Sequence, residues 1–207
     1  MPRKNGKSND SKDFHKNIEQ RFLLFLKYFY GCNIITTEIF DPENKRVYDV
    51  LGIRYKDSQI DKIYLGEIKT TFQDFLSGYR RGQFNILLPA NSLRYIVCVN
   101  KDLATKIKKY IDNTEDSNLK EYGILYAYAL NNPNLNIRNR KILTVTHNKF
   151  YFKTLKPASI IKNSPRDSTD FEFLVIRSVT SKLIESCENK ILTATERRNL
   201  RKILFKK

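Results

Sequence analysis

Long apolar runs are missing from this chain. No stretch of 18 apolar residues occurs among its 207 residues, so no membrane span is expected. Cysteine is scarce: Cys32, Cys98 and Cys187 form an odd set, no two stand at metal-ligand spacing, and two of them sit in apolar runs. They read as reduced, mostly buried thiols of an intracellular, cytoplasmic protein. The first 13 residues hold no apolar segment, so no secretory signal is expected and residues 1–11 read as a disordered basic tail. There is no internal repeat, no long low-complexity tract and no RNA-recognition signature.

Acidic residues are outnumbered. Against 38 Lys and Arg stand 22 Asp and Glu, a formal net charge of +16. A field of that sign attracts polyanions, nucleic acid most often and an anionic membrane surface otherwise. It says nothing about catalysis. Hydrophobic residues make up 41% of the chain, with 13 Phe and 12 Tyr, enough for a core. The length suits one domain with a modest extension.

The periodicity predicts a helix from Lys12 to Tyr30, with Phe14, Ile18, Phe22, Phe25 and Phe29 on one stripe, Ser11 as its cap and Gly31 after its end. Three extended segments follow, Asn33–Phe40, Val47–Tyr55 and Lys62–Lys69. Asp41-Pro42-Glu43-Asn44 and Lys56-Asp57-Ser58-Gln59 are the turns between them. A second helix is expected over residues 71–84, with Phe72, Phe75, Leu76 and Tyr79 on one face. Leu93–Asn100 reads as a strand buried on both faces, Lys101–Ile111 as a helix and Tyr122–Tyr128 as another strand. Beyond residue 130 come a loop at Asn131–Asn134 and a short hairpin of Lys141–Thr146 with Lys149–Lys153. An irregular basic stretch then runs over Lys156–Asp167, before helices over Asp170–Glu188 and Thr195–Phe205.

The hairpin carries the chemistry. If it is symmetric about Ser58, Asp49 faces Glu67, Leu51 faces Leu65 and Ile53 faces Ile63, all on one side of the sheet. That side is apolar except at one end, where Asp49, Glu67 and, two residues on, Lys69 meet. Opposed carboxylates on a half-buried face need compensation. A divalent cation such as Mg²⁺, which prefers oxygen ligands, supplies it. An ammonium beside the pair suits orienting or deprotonating a water, and the reaction class that follows is metal-assisted phosphodiester hydrolysis. Glu-x-Lys at a strand end is by itself common and most often a solvated ion pair.

Asp49 in Tyr48-Asp49-Val50-Leu51-Gly52, with Glu67-Ile68-Lys69 eighteen residues on, resembles the PD-(D/E)XK nuclease superfamily over residues 12–129. No Pro precedes the Asp here. The segment Gly66-Glu67-Ile68-Lys69-Thr70-Thr71-Phe72-Gln73-Asp74-Phe75 is similar to the MmcB-like DNA-repair family, as are Ile124-Leu125-Tyr126 and Leu155-Lys156-Pro157-Ala158. The resemblance implies an α/β fold: a restriction-endonuclease-like αβββαβ core over 12–130, with a mixed central sheet flanked by helices and a basic C-terminal extension over 131–207. It implies an Mg²⁺-dependent DNA endonuclease, with Mn²⁺ as a substitute, acting in repair, recombination or restriction near the nucleoid. Asp49, Glu67 and Lys69 are then catalytic, and Glu19 on the first helix is a third metal ligand beside Asp49 and Glu67. Gln83 on the second helix is the polar residue that reaches the cluster. His15, on the same helix face as Glu19, is a weaker candidate for a proton shuttle, and His147 is assigned no role. Arg80 and Arg81, with Arg197, Arg198, Arg201 and Lys202 of the terminal helix, are candidate phosphate contacts. The partners expected are DNA and a second copy of the chain, with no membrane. The alternatives are a non-catalytic DNA-binding module on the same scaffold, or a basic RNA-binding protein without an active site.

Overall fold

The computed structural model describes the backbone of residues 7–127 and 152–191, and the side chains of residues 14–127 and 152–183. Its centre is a mixed six-stranded sheet in the order β1-β2-β3-β4-β5-β6, flanked by helices and, among the described residues, not closed into a barrel. The strands are β1 (Ile34–Asp41), β2 (Arg46–Lys56), β3 (Gln59–Lys69), β4 (Ser92–Cys98), β5 (Gly123–Ala127) and β6 (Phe152–Lys156). The first three form an antiparallel meander. β3, β4 and β5 run parallel, and β6 closes antiparallel on β5. Parallel neighbours need crossovers, which α2 (Phe72–Arg80) supplies between β3 and β4, and α3 (Lys101–Asp112) with the short α4 (Ser117–Lys120) between β4 and β5. Thr71 and Asn100 cap α2 and α3, each accepting from the backbone N–H three residues on. β4 and β5 are buried along their whole length, as their unbroken apolar runs require.

Helix α1 (Lys7–Tyr28) begins ahead of its expected cap. Ile18, Phe22, Phe25 and Leu26 are buried, whereas Phe14 and Phe29, the two ends of the expected stripe, are exposed. The sheet decides this. Gly66 leaves room for Phe22, whose ring a Cβ there would meet at 2.2 Å. Gly52 leaves room for Leu26 and Cys32, which a Cβ there would meet at 3.0 and 2.9 Å. Cys32 and Cys98 are free, buried thiols, both pushed up to about 12 by burial. The side chain of Cys187 lies outside the described residues.

The β2–β3 hairpin turns on two residues, Asp57 and Ser58, both at positive φ, +51° and +62°. Such a turn matches the right-handed twist of the flanking strands. The pairs next to it are Lys56↔Gln59 and Tyr55↔Ile60, one residue away from symmetry about Ser58. A register shift at Arg54/Tyr55 then restores that symmetry from Arg54↔Lys62 to Val50↔Gly66. Asp61 lies at the irregularity, where its carboxylate accepts from Arg54 Nε at 2.6 Å.

Past residue 130 the expectations change. The second limb of the expected hairpin, Lys149–Lys153, overlaps β6 at Phe152 and Lys153, and the described partner of β6 is β5; residues 141–146 lie outside the described residues with the 131–134 loop and His147. The stretch expected to be irregular is tied to the sheet instead. Ser159 N–H donates to Glu121 O, Ile161 N–H to Ser92 O, and Asn91 N–H to Ile161 O, at 2.9, 3.0 and 2.8 Å. One compact unit runs over Met1–Ser168 and takes in β6 and Arg166, beyond the boundary expected at residue 130. A second unit, Thr169–Lys207, holds most of α5 (Ser168–Ile191). Among the described residues no helix is long and apolar enough to cross a membrane.

Candidate active site

The expected cluster lies at the end of the sheet where β2 and β3 part. Their ladder stops at Val50↔Gly66, one pair short of Asp49 and Glu67. The β1–β2 ladder has a gap at the same level, between Thr37↔Val50 and Ile39↔Tyr48, and Glu38 in that gap has φ +51°. A non-glycine residue held there is strained. The side-chain alternation of β2 changes phase here. Gly52 faces α1, yet so do Val47 and Asp49, which border an open cleft with His15, Lys16 and Glu19 of that helix.

The carboxylates are therefore drawn two ways. Asp49 Oδ2 accepts from Ile68 N–H at 2.8 Å and lies 3.8 Å from His15 Nε2. His15 Nδ1 is 3.1 Å from Glu19 Oε1. Glu67, 1% exposed, instead accepts from Gln83 Nε2 at 2.5 Å, and Gln83 Oε1 accepts from Lys69 Nζ at 2.9 Å. One amide thus holds Glu67 and Lys69 together, which sets both on the same side of β3.

Among the described residues, the acid and imidazole ligand atoms that gather within 4.8 Å of one another belong to His15, Glu19 and Asp49. Glu67 stands outside that set, whereas the expected trio was Asp49, Glu67 and Glu19. The cause is the competing hold of the Ile68 amide on Asp49 and of the Gln83 amide on Glu67. Gln83 also differs from expectation in its place: α2 stops at Arg80, and Gln83 sits in the turn beyond it. Gly78 in α2 makes room for its Oε1, which an added Cβ would meet at 2.2 Å.

Burial dominates the electrostatics. It pushes Glu67 well above the ordinary carboxyl range, the charge of Asp49 adds to this, and Lys69 and the Gln83 bond oppose it. Asp49 is raised by burial too, against the ammonium of Lys69 and the Ile68 amide. His15 is raised by its bond to Glu19, which burial opposes and the charge of Asp49 assists. Negative charge is thus undercompensated at this end of the sheet. An oxygen-rich donor set with that need fits a hard divalent cation, and Asp49 with Glu19 is the pair that would hold it, Glu67 standing close behind.

Arg81 borders the cleft beside Lys69 and Gln83, with Thr70 and Asp74. Arg80 is exposed on the last turn of α2. Arg197, Arg198, Arg201 and Lys202 lie outside the described residues. Two features escaped the reading of the chain. His15 joins the acid cluster more closely than its spacing alone suggested. Tyr48 belongs to a buried network with Asp41, Asn44 and Arg166, for which no local signal exists because Arg166 is 125 residues from Asp41.

No family model matches the chain, and no curated protein does. One solved structure is similar, the SPO1766 protein of unknown function from Silicibacter pomeroyi. It is 13% identical over 84% of this chain and 88% of that chain, with a TM-score of 0.49. A likeness of that degree shows no function.

Proposed function

We propose that the chain is a metal-dependent DNA endonuclease of the PD-(D/E)XK type, hydrolysing phosphodiester bonds, and that its α1-β1-β2-β3-α2-β4 portion is a restriction-endonuclease-like core. The observation that carries this reading is the shared hold of Gln83 on Glu67 and Lys69, beside Asp49, in a cleft open to solvent. A buried carboxyl of raised proton affinity and a buried ammonium joined by a neutral amide are costly as a purely structural device, and perturbed groups of this kind cluster at working sites.

Bound Mg²⁺ or Mn²⁺ would supply positive charge against the scissile phosphate. Asp49 and Glu19, with Glu67 behind them, would hold the ion; His15 pairs with Glu19 at 3.1 Å, and the Ile68 N–H orients Asp49. Lys69, kept in place by Gln83, would orient the attacking water and support the charge that develops on the phosphate, while the water's proton leaves to solvent through the cleft. Glu67 is held behind it by Gln83. Arg80 and Arg81 meet the phosphates that flank the cut. The net charge of +16 draws the substrate in.

A second reading, a DNA-binding module that does not cut, draws on the near-complete burial of Glu67 and Lys69, 1% and 3% exposed. Supercoiled plasmid incubated with the purified chain and Mg²⁺ or Mn²⁺ separates the two. Nicking by the wild type, lost in both Glu67→Gln and Lys69→Ala, supports the nuclease. Binding without nicking supports the module, and nicking that survives both substitutions rules out this site.

A further inference from the structure

Phe40 and Val47 are cross-strand partners at the β1 edge of the sheet, and both are exposed, 58% and 52%. Their neighbours on the same two strands, Ile39, Tyr48, Val50, Leu51 and Ile53, are all buried. Val47 borders the cleft of about 550 Å³ that His15, Glu19 and Asp49 line, and Phe40 is its cross-strand partner on β1. Lys16 stands at the same cleft as a cation, and Glu38 as an anion that a phosphate would avoid.

We infer that the Phe40–Val47 pair is a stacking shelf for an unpaired base, and hence that the substrate is single-stranded DNA, or a strand end frayed from a duplex, with its phosphate at the acid cluster. The inference rests on the nuclease reading for the class of ligand. A flat aromatic ring left in water beside a phosphate-seeking site matches the two halves of a nucleotide, and its charge matches the +16 of the chain. In an intact duplex each base has both faces covered by its neighbours and offers nothing to Phe40. Stacking does not discriminate between bases, so the shelf selects for strandedness and not for sequence. Val47 supports the ring from the adjoining strand, at the close spacing of a cross-strand pair.

The test uses the full chain with Ca²⁺ in place of Mg²⁺, a larger cation that accepts oxygen ligands in looser geometry, and compares a short single-stranded deoxyoligonucleotide with a covalently closed circular duplex, which has no end to fray. Phe40→Ala is expected to weaken single-strand binding about tenfold and to leave duplex binding within about twofold. Phe40→Trp is expected to retain the affinity. Because the chain has no other Trp, quenching of its emission on adding the strand reports the stack directly. Unchanged affinity in Phe40→Ala, equal losses on strand and duplex, or an unquenched Trp each overturn the shelf. So does a wild-type dimer that Phe40→Ala turns to monomer without loss of strand binding, since the pair is then a self-association surface. Phe40-dependent binding by a chain that cuts neither the single strand nor plasmid in Mg²⁺ sinks the nuclease reading and upholds the shelf.

Discussion

Arg166 and Asp41, 125 residues apart, lock together in a buried two-pronged ion pair: Nη1 donates to Oδ2 at 2.6 Å and Nη2 to Oδ1 at 2.9 Å. Asp41 also accepts from the Tyr48 hydroxyl and from Asn44 Nδ2 at 2.8 Å. Arg166 also donates to the Leu87 carbonyl at 2.8 Å. Its Nε lies 2.8 Å from a Glu43 carboxylate oxygen, close enough for ion pairing though not aligned as a hydrogen bond. The network anchors Tyr48, and through it the backbone next to Asp49.

Removing one partner strands the other's charge in the interior, at about 3–5 kcal/mol. Arg166→Met is expected to lower the stability measured by urea unfolding by that amount. The Asp41→Asn, Arg166→Met double variant is expected to lose less than the sum of the two single losses.

The same pair sets an acid limit. Burial opposes the charge of Asp41, but the bonds from Arg166, Tyr48 and Asn44 outweigh it and hold the carboxyl at about 2, below its ordinary 3.8. A depressed folded value adds stability that is present above pH 3.8 and is lost as pH falls through about 2. Unfolding followed by circular dichroism between pH 5 and pH 2 is expected to show that loss, and Arg166→Met is expected to flatten it.

Glu67 works in the opposite direction. Its folded value is raised, so the native state holds its proton more tightly than the unfolded chain does. Stability is then greatest below the ordinary value of 4.5 and falls as pH rises toward the folded value. In EDTA, Glu67→Gln is expected to melt higher than wild type at neutral pH and to respond less to pH. A gain of 1 kcal/mol moves the midpoint of a chain this size by about 2–4 °C.

Gly78 tests the Gln83 bridge from a distance. Gly78→Ala favours the helix by about 0.5–1 kcal/mol, yet its methyl group would meet Gln83 Oε1 at 2.2 Å and displace it. The expected result is a net loss of stability by urea unfolding, since leaving the buried Glu67 and Lys69 without their partner costs about 1–3 kcal/mol and outweighs the helix gain, with plasmid nicking reduced about tenfold or more as Lys69 loses its acceptor.

Mg²⁺ is expected to raise the melting temperature, by about 5–11 °C at a hundred times its dissociation constant. EDTA reverses the shift and Asp49→Asn abolishes it. A shift that persists in Asp49→Asn moves the ion to another place on the protein.

Much of the sheet was legible in the residues. Alternation in β2 and β3, the turn residues at 56–59 and the unbroken apolar runs of β4 and β5 are local signals. The bulge near Asp61 even preserved the symmetry about Ser58 that a two-residue turn alone would have broken. The site was legible in membership and less so in grouping. Asp49, Glu19, Glu67, Lys69 and Gln83 do gather at one end of the sheet. The phase change at Asp49 could not be read from strand alternation, because it depends on the backbone of Glu38 on a neighbouring strand.

Sequence alone determined the order of the helices and strands from α1 to β5, the pairing of β2 with β3, the position of the acids and the excess of positive charge. All of these follow from near neighbours and from composition. Tertiary structure decided that His15 joins Asp49 and Glu19, that Gln83 ties Glu67 to Lys69, and that Arg166 returns to bury the charge of Asp41. Each of these contacts joins separate elements, and its geometry follows from how whole elements pack rather than from any periodicity along the chain.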